Sequence, residues 1–289
     1  MRILAVIPHY HHPAPEGRYG SSRNTAATRC EALSACVMSL RQTFGRAQGV
    51  IGIASHTALP ANMALSADLD IVICTSGDDH VLGRLHLPPG SFSHLPTGSP
   101  PRLLGFACHQ ALLDNLGRYD WHCYLEDDIV VSDPLLFAKL AWFQGLAGKD
   151  ALLMPNRFEL ARSGPLRKIY VDGDLRPQAT EPFRRPGAQA EVRGELMGIA
   201  VRFLPALNPH SGCFFLTGEQ MRRLAGLPGY PSPDASFIGP LESAATLAVM
   251  RALHVFKPAP ENAGFLEVEH RASAFAGLVG GKVRLGPGF

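Results

Sequence analysis

"YLEDDIVVSDP", residues 124–134, sets three acids, Glu126, Asp127 and Asp128, directly behind an apolar run and just ahead of a helix start. The run His122–Leu125 reads as a short buried strand. Charge at the end of such a strand is costly unless it is paired or used. Side chains alternate with a period of two along an extended chain, so Glu126 and Asp128 share a side and Asp127 takes the other. A hard divalent cation binds carboxylate oxygens, Mg²⁺ often through one or two of them, with phosphate oxygens and water completing its shell. The competing reading is a capped turn or a set of arginine pairs. The position, at the end of a buried strand, favours a corner for a metal and a diphosphate.

Outward from this stretch, short runs rich in β-branched residues recur at Ile3–Ile7, Val50–Ala54, Asp70–Cys74 and Ala151–Met154. All read as buried strands. Between them, Leu104, Cys108, Ala111, Leu112 and Asn115 follow a helical spacing that stops at Gly117. Alternation of this kind predicts an α/β sandwich, Rossmann-like, with a mainly parallel central sheet. Ligands then bind at the carboxyl ends of the strands, which selects the loops "PHYHHPAPEGRYGSSR", "TSGDDH" and "EDD". Residues 157–195 are rich in Arg, Gly and Pro and read as a long irregular insertion. Strand order resumes at "GCFFL", and Thr217 with Gln220 forms a capping box for the next helix. Neither an internal repeat nor a linker divides the chain, so one domain is expected, its halves being 1–155 and 156–289.

The bulk numbers narrow the function. A chain of 289 residues can bury about three quarters of its unfolded surface. Its net charge of +2 gives no pull toward nucleic acid. The six cysteines form no C-x-x-C pair and read as reduced, which implies a cytoplasmic chain. "MRILAVIP" is too short for a signal or a span, so any membrane contact is expected to be peripheral, at the inner face.

The stretch "CYLEDDIVVSDPLLFAKLAWF" resembles the D-x-D region of GT-A glycosyltransferases, in the E-D-D version of the Golgi N-acetylglucosaminyltransferases that initiate complex N-glycans. The upstream "HQALLDNL" is similar to the helix preceding that motif. The resemblance covers about 50 residues and implies a GT-A-like fold with an acceptor-side insertion. It implies Mn²⁺ or Mg²⁺ as cofactor, Asp128 as direct ligand, and Glu126 and Asp127 at the ribose or donor sugar, with Glu126 also beside the metal. It also makes His270, at the end of "FLEVEH", a candidate ligand, while His254 in "ALHVFK" reads as a strand residue.

Transfer without a covalent nucleophile needs a base for the acceptor hydroxyl. Glu242, in the first turn of a helix opened by Pro240, matches the acid that many inverting GT-A enzymes use, with Asp234 in reserve. The helix N-terminus alone would also favour Glu242, by about 0.3–1 kcal/mol. Like the base-contacting loop of such enzymes, Pro8, His9 and Tyr10 are expected against the nucleotide base, with Asp78, Asp79 and His109 reading its edge. Arg18 or Arg23 is a candidate for the diphosphate, and Arg102, at the start of the helix that carries His109, is a further candidate beside the nucleotide. His9, His11 and His12 lack the four clear ligands of a structural zinc. In "NPHSGCFFL", His210 and Ser211 are candidates for sugar contact and Gly212 for close backbone approach. The expected partners are a nucleotide-diphosphate sugar, a UDP-sugar favoured, and a glycan or lipid-linked acceptor. Sugar-phosphate nucleotidyltransferase and non-catalytic nucleotide-sugar-binding module are the alternatives.

Overall fold

Both faces of the first strand, β1 (Arg2–His9), are apolar, and Ile3 to Ile7 are 0–1% exposed. A strand buried on both sides belongs at the centre of a sheet covered by helices. The computed structural model, which describes residues 1–14, 24–161, 164–271 and 275–286, puts it there.

In chain order β2 (Gly49–Gly52), β3 (Thr57–Pro60), β4 (Asp68–Ser76), β5 (Ser93–Thr97), β6 (Trp121–Leu125), β7 (Ile129–Val130) and β8 (Ala151–Leu153) follow. The second half adds β9 (Asn156–Leu160), β10 (Lys168–Tyr170), β11 (Val192–Leu196), β12 (Ile199–Pro205), β13 (Cys213–Thr217), β14 (His254–Pro258) and β15 (Glu267–His270). The principal helices are α1 (Ala26–Phe44), α2 (Leu104–Asp114), α3 (Leu136–Ala147), α4 (Gly218–Ala225) and α5 (Pro240–Ala252).

The main sheet has the order β13-β6-β1-β4-β5. Its pairs β6-β1, β1-β4 and β4-β5 are parallel, and β13 joins antiparallel. The chain is therefore an α/β protein with a mainly parallel central sheet, as its strand and helix alternation predicts. Ile3, Ala5 and Ile7 pack with Leu33, Val37 and Leu40 of α1 and Phe137 and Leu140 of α3. Leu4 and Val6 meet Cys108 and Leu112 of α2, Met221 of α4 and Leu247 of α5. Alternate residues of one strand thus feed two cores, which fixes its register.

Two smaller sheets, β10-β9-β15-β7 and β11-β12-β14-β8, lie beyond the acidic triplet. Pairing of His270 with Ile129 is what returns the late strand β15 to the triplet. The capping box at Thr217 forms as its spacing predicts.

Two expectations are corrected. The run Val50–Ala54 is no buried strand: β2 and β3 make a hairpin whose Val50 and Ile51 are 55% and 72% exposed. A short apolar run carries no signal of its own about which side of the molecule receives it. Nor is the segment 157–195 irregular throughout, because β10 lies within it and β9 and β11 overlap its two ends. The arginines that disguised it alternate with apolar residues, as Arg157 does with Phe158.

Candidate active site

Because β1, β4 and β6 run parallel, their carboxyl ends share one edge. Three loops expected there do gather: the backbone N–H of His11 donates to the Asp79 carbonyl at 2.9 Å, and His12 Nδ1 lies 2.9 Å from Asp79 Oδ1. Beside them the triplet leaves β6 not as a strand, as its alternation assumed, but as a turn closed by the Ile129 N–H on the Glu126 carbonyl at 3.1 Å, and that turn sends Asp127 one way and Glu126 and Asp128 the other.

Asp127 turns inward. His9, wholly buried, donates Nδ1–H to Asp127 Oδ2 at 2.5 Å, and its Nε2 accepts from the backbone N–H of Val81. The Arg29 guanidinium from α1 closes on the other carboxylate oxygen. Burial alone would raise the Asp127 carboxyl; Arg29 and His9 outweigh it and hold the group below the usual carboxylate range. His9 and Asp127 thus bind each other inside the protein, Asp127 also holding Arg29, and serve the framework of the crevice.

Glu126 and Asp128 turn the other way, into a corner built by β9, β15 and the turn before β13. Asp128 Oδ2 stands 3.7 Å from His270 Nε2 and 3.6 Å from an Arg29 nitrogen, both longer than hydrogen bonds. Asp128 Oδ1 is buried with no hydrogen-bond partner. His270 Nδ1–H donates to Glu159 at 2.9 Å, which fixes the tautomer and aims Nε2 at Asp128. Burial would lower His270, but Glu159 and Asp128 together raise it.

Glu126 lies 3.6 Å from Arg157 and 3.9 Å from His210 Nε2. Burial, with the Asp128 charge adding to it, lifts Glu126 to about 7 against the pull of Arg157 and His270. Behind it Arg157 pairs with Asp172 at 2.8 Å, and Lys257 donates to the His210 carbonyl at 2.6 Å. Burial and the Arg157 charge push His210 down to about 3, so it is neutral at physiological pH. Gly212, at φ 62°, accepts the Glu126 N–H at 2.7 Å. A Cβ there would sit 2.7 Å from Glu126 Oε2. The close approach that this glycine permits is to Glu126.

The donor chemistry suits a hard cation. One carboxylate with an unmatched buried oxygen and one imidazole face each other, and such O and N ligands suit Mn²⁺ and Mg²⁺. Among the described residues no three His, Cys, Asp or Glu side chains form a ready cage. An ion here would draw the rest of its shell from a diphosphate and water.

The remaining candidates divide. Glu242 is half-buried in the first turn of α5, its carboxylate over the Gly239 backbone. Thr246, one turn on and so on the same helix face, lies 3.4 Å from His210 Nδ1. Glu242 therefore faces the side where the cluster lies. Just ahead, Ile238 is 60% exposed at φ 57°, a strained setting for a β-branched residue. Asp234 is bound to Arg251 at 2.7 Å, nine residues and half a turn round from Glu242, and stands apart from the corner.

His109 is fully buried, donates to the Ala244 carbonyl at 2.8 Å and is pushed down to about 4 by burial. It braces α2 on α5 and reads no base. Ser211, likewise buried, donates to the Pro155 carbonyl at 2.7 Å and is unavailable to a sugar. Pro8 and Tyr10 are half-buried, Tyr10 raised by burial and Asp79, while Asp78, Asp79 and Arg102 are exposed. Arg18 and Arg23 lie outside the described residues.

Arg29, Arg157, Glu159, Asp172 and Lys257 escaped the sequence reading. For Arg157 and Glu159 a signal existed, charges alternating with apolar residues in "NRFEL". Lys257 ends a run whose other members are apolar or histidine, and nothing local marks it as paired with an acid 85 residues away.

No protein-family model and no curated protein match the sequence. Among solved structures the chain is similar to GalNAc-T7, crystallised with UDP, GalNAc and Mn²⁺, with TM-score 0.47 and 14% identity. That match covers 93% of this chain and 44% of the other. It is also similar to S. aureus TarS, with TM-score 0.46 and 9% identity over 94% of this chain and 37% of TarS. The chain thus spans less than half the length of either structure, and likeness at this level assigns no residue a role.

Proposed function

We propose that this chain is a metal-dependent glycosyltransferase with a GT-A-like fold, moving a sugar from a nucleoside diphosphate to an acceptor hydroxyl. The observation that carries the reading is the pairing of Asp128, with its unmatched buried oxygen, and His270 Nε2 across 3.7 Å. It lies at the carboxyl edge of a parallel sheet, where such folds bind nucleotides.

Asp128 and His270 would hold Mn²⁺ or Mg²⁺. When bound, the ion supplies positive charge for the diphosphate as it leaves. The loops at Tyr10 and Asp78–Asp79 receive the base, uracil favoured. Glu126, fixed by Gly212 and Arg157, faces the donor sugar beside neutral His210. Glu242 takes the proton of the acceptor hydroxyl, which gives inversion in a single displacement. The acceptor is a glycan or a lipid-linked sugar.

The test is a panel of nucleotide sugars incubated with the full chain, Mn²⁺ and simple sugar acceptors. Transfer with release of a nucleoside diphosphate is the expected result. Pyrophosphate release from a nucleoside triphosphate and a sugar phosphate would instead identify a nucleotidyltransferase.

A further inference from the structure

The hairpin β2–β3 belongs to neither core. Its strands pair only with each other among the described residues, which leaves one outer edge of main-chain N–H and C=O groups on each strand. Val50 faces Leu59 on one side, while Ile51 meets Ala58 on the other. The exposures are 55% for Val50, 72% for Ile51, 55% for Leu59 and 79% for Ile53 at the turn. Both faces are therefore apolar and wet, and a two-stranded sheet is marginal in water when nothing packs on it. No Asp, Glu, Lys or Arg occurs from Gln48 to Ala67, so the charges that usually guard an edge are missing.

At the base of the hairpin is a mainly apolar cleft of about 730 Å³, with Phe44, Pro60, Met63, Trp121 and Phe137 in its lining and Arg46, paired with Asp68, at its side. It opens at the amino ends of β1 and β6, the sheet edge opposite the acidic corner. Hairpin and cleft share Pro60 and adjoin as one surface, uncharged along the hairpin and mainly apolar in the cleft.

Two occupants suit an uncharged apolar arm, a bilayer or another protein surface. The bilayer leaves the edge groups unpaired, which hydrocarbon does not tolerate. A second copy pairs them and brings an equally uncharged surface. β3 ends in Pro60, which cannot donate, so the competent edge is that of β2. A stable interface covers about 800 Å² per partner. The few apolar side chains of the arm fall short of that, and the adjoining cleft supplies further surface.

We infer that this chain forms a two-fold dimer through β2, the two hairpins joining antiparallel into a four-stranded sheet that packs over the clefts. Such a contact is isologous and closes on itself. It leaves both acidic corners open on the far side.

The experiment measures the mass of the full chain by sedimentation velocity across a concentration series, for wild type and for Ile51→Asp with Ile53→Asp. Wild type is expected to reach dimer mass at micromolar concentration and the variant to stay monomeric at least tenfold higher. Compared at a concentration where wild type is monomeric, the melting temperature of the variant should not fall, since both side chains are exposed in the monomer. An Ile51→Cys chain should cross-link to itself under mild oxidant, whereas wild type, five of whose six cysteines are buried, should not. Wild type that stays monomeric, a dimer that survives both aspartates, or monomers that float with lipid vesicles through this arm would overturn the proposal.

Discussion

His9 Nδ1 and Asp127 Oδ2, 118 residues apart in sequence, meet at 2.5 Å inside the protein. The middle acid of the triplet is thereby removed from the crevice, and the two acids flanking it are left to face His270, Arg157 and His210. Division of labour within three consecutive residues follows from the turn between β6 and β7 and governs what each substitution should do.

Arg29→Met leaves the buried Asp127 charge with His9 alone. Loss of one member of a buried pair costs about 3–5 kcal/mol, and the unfolding free energy obtained from urea titration should fall by that amount. Asp128→Ala removes a carboxylate whose inner oxygen has no partner, so its stability should stay within about 1 kcal/mol of wild type or rise. A chain in which the two substitutions cost the same would have no such division.

Gly212→Ala forces an L side chain into φ 62° and places its Cβ against Glu126 Oε2. The backbone strain costs about 1–2 kcal/mol. Glu126 must also move, and transfer should fall by more than tenfold while the fold persists. Near-normal turnover would show that the position of Glu126 is unimportant.

Glu159→Gln keeps shape but weakens the bond that orients His270. Turnover at saturating Mn²⁺ should be largely retained, while the Mn²⁺ concentration for half activity rises by about 10–100-fold. Equal metal dependence in variant and wild type would separate Glu159 from the site.

His109 is held neutral by burial, at about 4 against an ordinary 6.5. Between those values the unfolded chain binds the proton and the native chain does not, so stability falls as pH drops through that window. His109→Gln should flatten the slope of unfolding free energy between pH 6.5 and 4. An unchanged slope would place the acid sensitivity elsewhere.

The sequence was most readable where chemistry and periodicity coincide. β1, β4, β6, α2 and the Thr217 capping box announce themselves by local pattern, and the triplet by its acids behind a buried strand. His270 was legible only through resemblance, because its meeting with Asp128 depends on β15 pairing with β7 some 140 residues earlier. His109 and Ser211 misled for the opposite reason. A polar side chain satisfied by a carbonyl far along the chain looks, in one dimension, like a free one. The hairpin misled too, since apolar content says that a run seeks burial without saying against what.

The central claim is that Asp128 and His270 bind a divalent cation together with a nucleoside diphosphate. Calorimetric titration of UDP into the full chain tests it, with Mn²⁺, with EDTA, and with the Asp128→Ala variant in Mn²⁺. The prediction is saturable binding with Mn²⁺ alone, lost on chelation and lost in the folded variant. UDP binding that ignores both metal and substitution would contradict it, as would no binding of UDP or any other nucleoside diphosphate under any of the three conditions.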